Sequence, residues 1–130
     1  MTLRFTARAL AALDLDDLNT FLIALADDPD EPTHSLEFQK ALDVDEDDPD
    51  SDTYCLVING GATHYGGVST CHLHEGLLTV RLDERAAHAL HTPGVEIRLD
   101  VDQVEYLKLR ESLYRLFHGD RSAPTDLVLE

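Results

Sequence analysis

Residues 95–101 alternate without a break, Val95, Ile97, Leu99 and Val101 against Glu96, Arg98 and Asp100. A period of two sends successive side chains to opposite faces, so the segment is a strand with one dry and one wet side. The pattern recurs along the chain. Leu3, Phe5, Ala7 and Ala9 alternate with Arg4, Thr6 and Arg8. Leu36 and Phe38 are flanked by Glu37 and Gln39. Tyr54, Leu56 and Ile58 form one more set, and Leu78, Val80 and Leu82 another, against Thr79 and Arg81. Residues 21–26 are nearly all apolar, which predicts a central strand.

The breaks between these segments are equally informative. Asn59–Gly60 tolerates the positive φ of a type I′ hairpin turn. The returning strand, 63–74, is interrupted by Gly66–Gly67, which predicts a bulge or a sharp bend. Glu75–Gly76 makes another tight turn. Residues 14–19 read as an acidic turn, and 27–32, with two prolines and four carboxylates, as a loop. Two segments change period. Asp83 caps a short helix through Leu90, with Glu84 in its first turn, and Pro93–Gly94 closes that connection. Asp102 caps a longer one, with Glu105 three residues on. Tyr106, Leu109, Leu113, Leu116 and Phe117 supply its apolar stripe, and Gly119 its stop. Many hairpin-linked strands with few helices predict an α+β fold: an antiparallel sheet of about six to seven strands, with the short helix and the longer C-terminal helix packed on it. The 130 residues are one ordinary domain. Its body is expected over 1–119, with 120–130 a loose tail.

Charge is the compositional outlier. There are 26 acidic and 10 basic residues, a formal net charge of −16. Such a chain is repelled by nucleic acid and by anionic membrane surfaces, and charge guides it toward a basic partner. Residues 27–52 alone carry 12 carboxylates and one cation, Lys40. Within 43–52 only Val44, Pro49 and Ser51 are uncharged. Two readings stand: a solvated loop in a salt-adapted chain, or a surface that steers onto a basic cleft. Arg4 and Arg8 interrupt the N-terminal apolar residues, so no secretory leader is read there. Cys55 and Cys71 have no spacing that requires pairing, and a reducing cytoplasm is the expected compartment.

Metal binding is the rival reading. Asp43, Asp45 and Asp47 have the spacing of the first EF-hand ligands, but Asp48 stands where the loop needs glycine and Tyr54 where it needs a bidentate glutamate. His72 and His74 share a strand face, with Cys71 on the other and His64 nearby, yet two histidines need further ligands from elsewhere. The alternative is therefore a Ca- or Zn-responsive sensor, while the expectation is no metal and no cofactor. Catalysis finds little support: there is no Gly-x-Ser-x-Gly elbow and no glycine-rich loop opening a helix.

The order of short motifs through the middle of the chain resembles a family. An apolar strand from Phe21 runs into Asp27–Asp28. Phe38–Gln39–Lys40 follows, then an acidic run ending in Asp52–Thr53–Tyr54, then Tyr65–Gly66–Gly67–Val68. This resembles the immunity protein 10 family of bacterial polymorphic toxin systems, with Lys40 where that family usually has arginine. The likeness extends through residues 77–82, Ala86–Ala87 and 95–117. It implies a non-enzymatic antidote that binds the toxic C-terminal domain of a cognate toxin and occludes its active site or a neighbouring surface. A nuclease, with its basic groove, fits the acidic run. The expected contact residues are Asp43, Asp45, Glu46, Asp47, Asp48, Asp50 and Asp52, with Tyr54 and Tyr65 as aromatic anchors.

Overall fold

The computed structural model describes residues 1–44, 46–48 and 52–130. In chain order the elements are β1 (Leu3–Ala7), β2 (Ala9–Leu15), a 3-10 turn (Asp16–Leu18), β3 (Thr20–Ala26), β4 (Ser35–Ala41), β5 (Cys55–Ile58), β6 (Ala62–Tyr65), β7 (Val68–His74), β8 (Leu77–Leu82), α1 (Glu84–Leu90), β9 (Gly94–Leu99), α2 (Gln103–Phe117) and β10 (Asp126–Leu129). The class is α+β, as the alternation implies.

The strands do not form one antiparallel sheet. They divide into two five-stranded sheets, β1-β9-β8-β7-β10 and β2-β3-β4-β5-β6. The second is a pure antiparallel meander. The first is mixed, because β1 runs parallel to β9 and β10 parallel to β7. Alternation says which way a side chain points but not which strand lies alongside, so the division is invisible in the pattern.

The chain crosses between sheets at two places. The run of alternation from Leu3 to Ala9 is two strands broken at Arg8. There the Arg8 amide donates to the Ala26 carbonyl at 3.0 Å in one sheet, while the Asp100 amide donates to Ala7 at 2.9 Å in the other. The second crossing is Gly66–Gly67, where β6 leaves the meander and β7 enters the mixed sheet. Both glycines have positive φ, +70° and +95°, and a Cβ on Gly67 would come 2.5 Å from the Ala86 Cβ. The expected sharp bend is thus a change of sheet, and α1 packs hard against it.

The helix caps are as the sequence reads. Asp83 accepts a hydrogen bond from the Ala86 amide, and Asp102 from the Glu105 amide. Leu109, Leu113, Leu116 and Phe117 are buried in one core with Phe21, Ile23, Leu25 and Phe38 of the meander and Val80, Val95 and Ile97 of the mixed sheet. The acidic stretch 14–19 is partly strand, since β2 runs through Leu15 and only the 3-10 turn and Asn19, at φ +50°, turn the chain. Residues 120–130 are not a loose tail. β10 extends the mixed sheet beside β7, where its backbone completes the ladder that β7 would otherwise leave open.

Candidate partner-binding surface

Two anchors hold the acidic segment against the open end of the meander. At its start, Asn19 donates through Nδ2 to the Asp43 carbonyl and accepts the Asp43 amide through Oδ1, both at 3.0 Å. The left-handed conformation of Asn19 aims its amide at the end of β4, and its own carbonyl takes the Leu42 amide at 3.0 Å. Near the other end, Arg121 Nε lies 2.7 Å from Asp52 Oδ1. Between them Asp43, Glu46, Asp47, Asp48 and Asp52 are exposed. Asp45 and Asp50, named for the same role and the former also for a cation loop, lie outside the described residues.

A shallow cleft of about 180 Å³ adjoins this segment, lined by Thr20, Gln39, Asp48, Cys55 and Tyr65 among others. Enclosed small-molecule sites run to roughly 300–1,000 Å³. Tyr65 stands at its rim with half its surface exposed.

Tyr54 is a correction. It is fully buried. Its hydroxyl donates to the Ser122 carbonyl at 2.8 Å and accepts from the Val68 amide at 2.9 Å. Its ring meets Phe117 edge-on at 5.2 Å and Phe38 at 6.5 Å. Burial pushes its hydroxyl well above the ordinary tyrosine value. Tyr54 therefore ties both sheets and the chain beyond α2 together, and no partner can reach it without unfolding that junction.

The only cation of the acidic segment is also turned inward. Lys40 Nζ lies 2.8 Å from Asp120 Oδ2 and donates to the Leu116 carbonyl at 3.1 Å. The Asp120 side chain is fully buried, and its Oδ1 accepts from Thr53 Oγ1 at 2.7 Å and from the Ser122 amide at 2.8 Å. Lysine here satisfies an open carbonyl at a helix C-terminus and a buried carboxylate together. The consequence is electrostatic. Residues 9–65, which build the whole meander and its loops, hold 15 acidic residues against this one inward-facing lysine. The remaining residues hold 11 acidic and nine basic, close to balance. The excess charge belongs to one sheet.

Other candidates from the sequence sit apart. His72 and His74 do share the outer face of β7, but each faces a carboxylate of the C-terminal segment, Asp126 at 2.8 Å and Glu130 at 3.1 Å. Cys71 is fully buried on the opposite face, its thiol pushed up to about 12 by burial. Cys55 lies on the outer face of the meander, and burial raises its thiol too. Among the described residues no three His, Cys, Asp or Glu side chains converge where an ion could sit. No helix among them is long and apolar enough to cross a membrane.

The resembling motifs thus meet at one junction. Lys40, Thr53, Tyr54 and Gly66 surround the Asp120–Ser122 segment, and the Gly66 amide donates to the Tyr54 carbonyl at 2.8 Å. They carry the fold more than the surface. The model of the immunity protein 10 family matches residues 6–107. No curated protein matches the chain.

Proposed function

The chain belongs to the immunity protein 10 family, and on that premise we propose that it neutralises a cognate toxin domain by direct binding, presenting the acidic surface around residues 43–52 to the toxin's active site or its border. Family membership makes the cognate toxin the partner and favours a role without catalysis. One observation supports the acidic surface as the contact: the sole Lys or Arg of residues 9–65 is held by the buried Asp120, so that stretch keeps 15 acidic residues against one inward-facing lysine. A basic groove, such as a nuclease needs for its phosphate backbone, is the complementary toxin chemistry. Steered association then speeds capture of a toxin that would otherwise kill the cell.

Co-expression with the cognate toxin domain is the test. A stable complex and surviving cells are expected. Replacing Glu46, Asp47 and Asp48 together by Gln, Asn and Asn should slow association roughly tenfold at low salt and change dissociation little. No complex and no protection would sink the proposal. A complex whose association rate ignores both salt and these substitutions would remove the acidic segment from it.

A further inference from the structure

The two sheets differ on their outer faces. On the mixed sheet that face carries Arg4, Glu96, Arg98, Thr79 and Arg81, the polar covering normal for a sheet with one side in water. On the meander that covering thins to Glu37 and Gln39 of β4, hydrogen-bonded to each other at 3.0 Å beside Ala24 and Leu22. β3 sends Phe21, Ile23 and Leu25 to the core, which leaves Leu22, Ala24 and Ala26 outward. Register puts Leu13 of β2 beside Leu22 and Ala11 beside Ala24. Beyond Glu37 and Gln39 of β4 come Val57 and Cys55 of β5, the latter opposite Tyr65 of β6. Leu13 is 42% exposed and Tyr65 51%. α2 lies on the other side of this sheet, with Phe117 against Phe38 and Arg115 over the Phe21 ring at 3.9 Å.

Carboxylates ring this apolar face. Asp16 and Asp17 stand at the β2–β3 corner, and Asp43 and Glu46 at the end of β4. Asp28, Asp30 and Glu31 stand at the opposite end. Lys40 is the only Lys or Arg between residues 9 and 80. Large apolar patches rimmed by polar groups mark interfaces, whose binding energy concentrates in a dry centre. Like charge opposes a second copy stacking on the same face, and an anionic bilayer is repelled in the same way. Charge complementarity leaves a partner with an apolar patch ringed by lysine and arginine.

Building on the reading above, we propose that the outer face of β2–β6, centred on Leu22 and Ala24, is the seat of the toxin domain, and that Asp43 and Glu46 are one part of its acidic rim. The dry centre sets the lifetime of the complex and the rim sets its rate of formation.

Leu22→Arg and Ala24→Arg should each weaken binding of the co-expressed toxin domain at least 100-fold, mainly through faster dissociation. Thr79→Arg, on the outer face of the mixed sheet, should leave affinity within twofold. A measurement on the unmodified chain guards against misfolded variants. Cys55 lies on the proposed seat and Cys71 is fully buried. Alkylation of Cys55 should therefore slow at least tenfold when the toxin domain is bound. Equal Cys55 reactivity in the free and bound protein, or full affinity in both arginine variants, overturns the seat while the immunity reading stands. Cys55 protection that grows with the protein's own concentration, without toxin, assigns the face to a second copy and also overturns it. If the unmodified chain captures no toxin domain, the functional reading fails and the seat falls with it.

Discussion

Residues 40, 54 and 120 connect parts of the chain far apart in sequence, and each does so through a polar group inside the core. Tyr54→Phe removes one hydroxyl but orphans the buried Val68 amide, which Tyr54 now satisfies. The expected cost is about 1–3 kcal/mol, read as a lower urea midpoint at unchanged slope. Lys40→Met should cost more, about 3–5 kcal/mol, because it strands the buried Asp120 carboxylate. Adding Asp120→Asn should recover part of that loss. A double-mutant cycle with no coupling would show that the pair is not the anchor described. Cys71 gives a pH prediction. Its thiol ionises near 9.0 in the unfolded chain and is pushed up to about 12 when buried. The folded state keeps the proton longer, so this contribution is fully present below pH 9 and lost as pH rises toward 12. Cys71→Ala should flatten the fall of the urea midpoint in that window.

At the scale of elements, the helices follow from local chemistry and the strand order does not. Asp83→Ala and Asp102→Ala each remove the acceptor for a first-turn amide. Each should cost about 1 kcal/mol in thermal or chemical unfolding. β10 also depends on a distant partner. It pairs with β7 in parallel, the Glu130 amide donates to the Leu73 carbonyl at 2.8 Å, and Tyr106 Oη donates to the Glu130 carbonyl at 3.0 Å. Its carboxylate contacts to His72 and His74 are more than a third exposed and add little. Deleting residues 126–130 should lower the melting temperature and, by opening the edge of β7, produce light scattering that grows with protein concentration. β3 shows the limit of reading an element alone. Its unbroken apolar run reads as a central strand and β3 does lie inside its sheet, yet only one of its faces is buried in the core. The second face, Leu22, Ala24 and Ala26, lies outside that core, and the candidate seat is there.

For the whole molecule, charge is arranged by sheet. The meander segment carries most of the net charge, and its internal repulsion opposes compaction. Raising ionic strength from about 0.01 M to 0.15 M shortens the screening length from roughly 30 to 8 Å. The melting temperature should rise over that range, and association with a basic toxin domain should slow. Both follow from one charge distribution but in opposite senses, so a salt titration of stability and of association rate tests it twice.

Alternation, turn residues and caps determined the α+β class, most strand positions, both helices and the acidic segment, because each depends on neighbours a few residues away. The acidic surface was legible for the same reason, and the anchoring role of Lys40 was not. What tertiary structure alone decided is how those strands are shared between two sheets, that the C-terminal residues complete one of them, and that Tyr54 is core while Leu22 and Ala24 face outward. Those outcomes depend on which distant strand lies alongside and whether a second layer covers a face. A period of two records that a residue has a side, but not what stands on it.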